Sequence, residues 1–191
     1  YYHKRPLLDA LSHGFCSVEA DVFLKNGNLL VGHFSFELKE SRTLESLYLA
    51  PLAKRVKANG GSVHKTSAPF HLMIDFKTDG PKTYAALQPL LEKYRFMLTE
   101  FGAEKTETKA VTIVISGSRP RTVMENQTKR LAGYDGRLSD LGQAASPHFM
   151  PWISDSWRSH FKWRGKGELP AAEEAKLTRI AQQVHKDGQK I

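Results

Sequence analysis

Two carboxylates spaced one residue apart, Glu19 and Asp21, followed by the dipeptide Gly32-His33, are the groups in this chain best suited to chemistry. The acids sit in Ser17-Val18-Glu19-Ala20-Asp21-Val22-Phe23-Leu24, which reads as a β-strand. Side chains along a strand alternate faces with a period of two. Val18, Ala20, Val22 and Leu24 therefore form an apolar face, and Glu19 and Asp21 project together from the other. Neighbouring carboxylates repel unless a cation lies between them or one takes a proton. Oxygen-only ligands favour a hard divalent cation, Mg²⁺ or Ca²⁺. A half-buried strand with its polar face in water carries the same pattern, so the string alone leaves both readings open.

The rest of the chain supplies elements to position these groups. The segment from Pro6 to His13 reads as a short helix. Asn26-Gly27 is a strong turn signal, and Leu29-Leu30-Val31 returns as a second strand. Thr43 to Lys57 carries Leu44, Leu47, Leu52 and Val56 at broadly helical spacing, and Asn59-Gly60-Gly61 stops it. His71 to Lys77 is a strand with Leu72, Ile74 and Phe76 on one face. Lys82 to Tyr94 is helical, with a kink or an end expected at Pro89. Val111 to Ser116 is nearly all β-formers without alternation, which suits a strand buried on both faces. Pro120 to Leu131 reads as a helix, Gly133 to Arg137 closes a short strand, Phe149 to Ser154 is another, and Pro170 to Lys186 is an amphipathic helix.

Strands alternating with helices predict βα units and a parallel sheet. Polar or charged groups fall late in several strands: Asp21, Asp75 with Lys77, Ser116, Asp135 with Arg137, and Asp155. In a parallel barrel the site lies at the C-terminal strand ends. An open doubly wound sheet would call for a glycine-rich loop after the first strand, and none is present.

The chain has 191 residues, enough for one sizeable core. It contains no run of about eighteen apolar residues that would span a membrane. No signal peptide is visible, and a start on Tyr1 rather than Met looks cut. Cys16 is the single cysteine and cannot form an internal disulfide. A formal charge of +8 favours anionic partners. The charges are scattered and no zinc-finger or RNA-binding signature appears, so a phosphorylated small molecule or a lipid ranks above nucleic acid.

Several ordered strings carry a resemblance. Gly14-Phe15-x-Ser17-Val18-Glu19-Ala20-Asp21-Val22 followed by Asn26-Gly27-x-Leu29-x-Val31-Gly32-His33 resembles the phosphatidylinositol-phospholipase-C-like and glycerophosphodiester phosphodiesterase superfamily. Within it, the strings are similar to the subgroup of fungal altered-inheritance-of-mitochondria proteins and bacterial relatives. Arg42 to Leu49, Ile74-Asp75-Phe76-Lys77-Thr78-Asp79, Val114-Ile115-Ser116-Gly117-x-Arg119-Pro120 and Tyr134-Asp135-Gly136-Arg137 match in order.

The resemblance implies a (β/α)₈ TIM-type barrel, here a single domain that lacks its first and last strands and so looks trimmed at both ends. It implies a metal-dependent phosphoric diester hydrolase acting on a glycerophosphodiester or phosphoinositide-like substrate. A non-catalytic phosphate- or lipid-surface-binding module on the same barrel is the alternative. By position, Glu19, Asp21 and Asp75 correspond to metal ligands, with Asp75 standing where many relatives carry Glu. Lys77 falls where they carry a lysine near the phosphate, and His33 corresponds to the second catalytic histidine. The first histidine belongs to a His-x-His-Asn-Asp-Tyr string that would end on Tyr1. An extracytoplasmic location is slightly favoured by the same resemblance.

Such groups suit phosphodiester cleavage. Attack adds negative charge, which a cation and Lys77 offset, and histidines move the protons. Asp135 and Arg137 fit either a structural ion pair or substrate contact. His3 lies near the expected site, His71 sits at the stability end of its strand, and the remaining histidines read as solvated. Trp152, Trp157 and Trp163 interleave with Arg158, Lys162, Arg164 and Lys166. Trp157 and Arg158 are thus expected to bind substrate, with peripheral contact to an anionic membrane. A loop packing its own tryptophans fits the same string. Finally, a two-residue turn at Asn26-Gly27 would put His33 on the apolar face. A three-residue loop with Gly27 at positive φ, or another one-residue irregularity before His33, is therefore expected.

Overall fold

The structure, a computed structural model, describes residues 3–66, 68–143 and 145–191. Tyr1, where the resemblance places the end of the first histidine's string, lies outside the described residues. Among the described residues the strands are β1 (Ser17–Lys25), β2 (Asn28–Val31), β3 (Phe70–Phe76), β4 (Glu100–Gly102), β5 (Thr106–Glu107), β6 (Val111–Gly117), β7 (Lys129–Arg130), β8 (Gly133–Gly136) and β9 (Trp152–Ile153). The helices are α1 (Pro6–Ser12), α2 (Ala50–Ala58), α3 (Gly80–Lys93), α4 (Arg121–Glu125), α5 (Trp157–His160) and α6 (Ala171–Lys186).

The main sheet runs β2-β1-β3-β6-β8-β9. β1, β3, β6, β8 and β9 run parallel to one another, and β2 is an antiparallel hairpin partner of β1. Lys190 adds a parallel bridge to Trp152 beyond β9. One face of this sheet is the core. Leu72, Ile74 and Phe76 from β3 and Ile113 and Ile115 from β6 are fully buried with Leu52 and Val56 of α2 and Tyr84 and Leu87 of α3. Each such side chain is worth about 1.5–3 kcal/mol against exposure. β6 is buried on both faces from Val111 to Ser116, as its unalternating sequence predicts. Among the described residues no helix is long and apolar enough to cross a membrane.

Several elements differ from the sequence expectation. The first turn of the second helix is a π-helix, Glu45–Leu49, begun by the paired hydroxyls of Thr43 and Ser46. α3 runs through Pro89. The carbonyl its ring leaves without a helical N–H donor is that of Ala85, an exposed residue. The helix expected from Pro120 to Leu131 stops at Glu125, because Lys129 and Arg130 pair with Phe101 and Gly102 in a small second sheet, β5-β4-β7. Arg130 is buried there and donates to the carbonyls of Met124, Gln127 and His148. The last expected strand is pared to Trp152–Ile153.

The β1–β2 turn also differs. Lys25 pairs with Asn28 and Val22 with Val31, so the loop has two residues, and both Asn26 and Gly27 lie at positive φ (51° and 76°). That pair of left-handed residues marks the primed turns favoured by strand twist. The three-residue loop is therefore not formed. The ladder nevertheless ends at Val31, and the chain leaves it after Gly32, whose N–H donates to the Asp21 carbonyl at 3.2 Å.

Candidate active site

The parallel register lines up the polar strand ends. Asp21 stands opposite Asp75, and Asp75 opposite Ser116. Ser116 Oγ donates to Asp135 Oδ2 at 2.7 Å, which extends the row to β8. Even residues of β1 and β3 enter the core, so the odd ones face this row.

His33 joins the row from the turn after β2. Its backbone N–H and that of Phe34 both donate to the Glu37 carboxylate, at 2.9 and 2.8 Å. This clamp bends the chain out of the ladder and into a short 3₁₀ turn, Ser35–Glu37. It delivers the His33 ring to Asp21, with Nδ1 2.8 Å from Oδ2. The ionised carboxylate accepts, so Nδ1 carries the hydrogen and Nε2 is the basic nitrogen of the ring.

Lys77 lies between two acids. Its Nζ is 2.9 Å from Asp21 Oδ1 and 2.8 Å from Asp75 Oδ2. Burial works against the ammonium, but the bonds to Asp75 and Asp21 outweigh it and hold its pKa above the ordinary 10.5. Glu19 completes the cluster. Carboxylate oxygens of Glu19, Asp21 and Asp75 all lie within 4.8 Å of one another. A single ion with oxygen ligands at about 2.0–2.6 Å spans such a separation. Desolvation first, then repulsion from Asp21, Asp75 and Asp135, pushes the Glu19 carboxyl above its ordinary 4.5, although the side chain stands at an open mouth. Three carboxylates against one ammonium leave an excess of negative charge that fits a divalent cation. Asp75 is wedged close to β6: a β-carbon at Gly117 would fall 2.0 Å from its Oδ1.

Asp135, fully buried, accepts from Ser116, Ser154 and Arg137 on one oxygen, while its Oδ1 has no hydrogen-bond partner among the described residues. Arg137 also reaches Ser154 Oγ at 3.1 Å. Arg119 donates to the Asp135 carbonyl and lies over the Tyr134 ring.

Residues 1–135 match the AIM6-like phosphodiesterase domain. This chain belongs to that family. Its match covers the hairpin, Asp75, Lys77, Ser116 and Asp135, and ends before Arg137 and the tryptophan loop. Among relatives, the chain is 35% identical over 149 residues to altered inheritance of mitochondria protein 6 homolog of Arthroderma benhamiae, covering 69% of this chain and 47% of that protein. It is 28% identical over 198 residues to altered inheritance of mitochondria protein 6 of Eremothecium gossypii, covering 91% and 51%. The Lachancea thermotolerans protein of the same name is 36% identical over 152 residues, covering 68% and 35%. The chain thus spans about half or less of the length of these curated relatives. No solved structure matches.

In this AIM6-like domain the other expected site residues lie elsewhere. Trp157 stacks on Phe161 at 4.1 Å and donates from Nε1 to the Trp163 carbonyl. Glu173 of α6 accepts from the backbone N–H groups of Lys162 and Trp163 and ties the loop down. Arg158 is exposed. Among the described residues neither Trp157 nor Arg158 has a hydrogen bond, ion pair or ring contact with the carboxylate row. His3 pairs with Asp9 rather than with the cluster. The histidines read as solvated include three with partners: His64 with the Phe15 carbonyl, His148 with Thr106 and His160 with Asp155. Sequence reasoning missed Glu37 and Ser154. Glu37 had a signal, since a glutamate three residues after the residue it caps is a known chain-reversal device. Ser154 had none, because its role depends on β9 lying beside β8.

Proposed function

We propose that this domain is a metal-dependent phosphoric diester hydrolase acting on a glycerophosphodiester or phosphoinositide-like substrate. The observation that carries the reading is the double engagement of Asp21, which holds His33 through one oxygen and Lys77 through the other. The family description supports the reaction class. A (β/α)₈ barrel, of which β1, β3, β6, β8 and β9 would be successive strands, is the architecture that fits a site at parallel strand ends.

Glu19, Asp21 and Asp75 would hold the cation, which supplies charge neutralisation and polarisation of the phosphoryl oxygen. The chain's own groups do the rest. Asp21 orients the His33 ring and stabilises its protonated form. His33 Nε2 then takes a proton from the attacking hydroxyl or gives one to the leaving alkoxide. Lys77 stays cationic and adds a fixed positive charge beside the phosphate. Arg137 is held by Asp135 and Ser154 through Nη1 and by Ser116 through Nη2, and fixes a positive charge at this end of the row for an anionic substrate.

The test is a hydrolysis screen with glycerophosphodiesters, phosphatidylinositol and lysophospholipids, with Mg²⁺ or Ca²⁺ and with a chelator. Cation-dependent release of a phosphomonoester or cyclic phosphate is expected. Binding of these phosphodiesters without turnover would favour a phosphate-binding module instead.

A further inference from the structure

The turn that delivers His33 also carries an unusual apolar surface. Phe34 and Phe36 stack face to face, with ring centroids 5.3 Å apart and planes within 9°. Yet both point outward: Phe34 is 47% exposed and Phe36 82%. Phe34 also packs edge-on against the His33 ring at 4.6 Å. The turn is held by the Glu37 carboxylate, so the rings are displayed from a fixed loop rather than a loose one.

The surface beside it is basic. An open hollow of about 450 Å³ is lined by Gly32 and Glu37 of this turn together with His3, Lys4, Lys39 and Arg42. Arg42 donates to the carbonyls of His3 and Lys4 and pins that segment in place. Among the described residues Lys4 and Lys39 make no ion pair with a carboxylate. The Glu37 carboxylate keeps its negative charge, and Lys4, Lys39 and Arg42 around the same hollow outnumber it. Exposed aromatic rings flanked by unneutralised lysines match the two layers of an anionic bilayer, acyl chains below and charged headgroups above. The tryptophan loop lacks this character, because its rings pack on one another.

We propose that the Phe34–Phe36 turn is a membrane-docking wedge that seats the carboxylate–histidine site on an anionic lipid surface. Phe36 enters the acyl boundary, Lys4 and Lys39 meet headgroup phosphates, and His33 is placed at headgroup depth. The consequence for substrate rests on the phosphodiesterase reading: the substrate is a lipid phosphodiester taken from the bilayer rather than a free glycerophosphodiester.

Co-sedimentation of the full chain with phosphatidylcholine vesicles, with and without phosphatidylglycerol, tests the wedge. Binding to the anionic vesicles is expected, and it should fall as salt rises. Phe36→Ser should weaken it about tenfold, the effect of withdrawing most of one phenyl ring from an apolar phase, and Phe36→Trp should restore it. Lys4→Gln with Lys39→Gln should weaken anionic binding and leave the small binding to neutral vesicles unchanged. Wild-type protein that stays in solution, or Phe36→Ser protein that binds like wild type, overturns the proposal. The same preparations are assayed on soluble glycerophosphocholine and on vesicle lipid. Ring-dependent binding with no hydrolysis of either would defeat the phosphodiesterase reading and leave the wedge standing. Hydrolysis with ring-independent binding would do the reverse.

Discussion

Asp21 and His33 meet at 2.8 Å although the β1–β2 ladder, continued two more residues, would turn their side chains to opposite faces of the sheet. The ladder stops at Val31, and Glu37 bends the next residues by accepting both the His33 and the Phe34 N–H. A backbone clamp, rather than the turn at Asn26-Gly27, sets the position of this histidine.

That relation separates two variants. His33→Ala should lower turnover by about two to four orders of magnitude with folding intact, the usual worth of a general acid or base. Glu37→Ala leaves the ring present but releases two backbone donors, costing about 1–3 kcal/mol of stability. Its turnover should fall less than that of His33→Ala. Steady-state assays with thermal denaturation of both proteins check this, and equal losses would remove the distinction.

Glu19 should be a source of instability when no cation is bound. Its carboxyl is held above 4.5 by desolvation and by its acidic neighbours. A raised acid favours the protonated folded state, so this stability is present at low pH and is lost as pH climbs from about 4.5 through the raised value. Glu19→Gln should therefore melt higher than wild type near neutrality without a cation, with the gain vanishing in acid. Mg²⁺ or Ca²⁺ should raise the wild-type melting temperature more than that of the variant. Scanning calorimetry with and without a chelator decides it.

Gly117→Ala should damage the site from outside it. Gly117 has φ of 69°, and an added methyl would meet Asp75 Oδ1 at 2.0 Å and the Phe76 carbonyl at 2.5 Å. Strained left-handed backbone at a non-glycine residue costs about 1–3 kcal/mol. Displacing Asp75 should also weaken cation binding, measurable by calorimetric titration. Unchanged cation affinity would show that Asp75 is not a ligand.

His71 should contribute to acid sensitivity. Burial, then the nearby Lys190 ammonium, pushes its imidazole down to about 4. The unfolded chain takes this proton near 6.5 and the folded protein resists it. Stability is thus fully present above about 6.5 and is lost as pH falls towards about 4. His71→Gln should flatten that part of the stability curve in urea melts across the range, relative to wild type.

Local alternation determined much of this molecule. The parity of Glu19 with Asp21 places both on a common face, because strand geometry leaves no other choice, while Lys77, one residue past the end of β3, is brought there by its ion pairs with Asp21 and Asp75. The apolar partners on the opposite parity make the same register the one that buries a core. Gly27 at positive φ was likewise legible from its type. What the tertiary structure decided involves partners distant in sequence. Arg130 leaves its expected helix for the small sheet because its backbone pairs with Phe101 and its guanidinium reaches the His148 carbonyl. Trp157 turns to Phe161 and Trp163 because α6 supplies Glu173 to hold their loop. Ser154 reaches Asp135 only once β9 docks beside β8. Such contacts depend on which strands become neighbours, and a period of two along one strand carries no record of that.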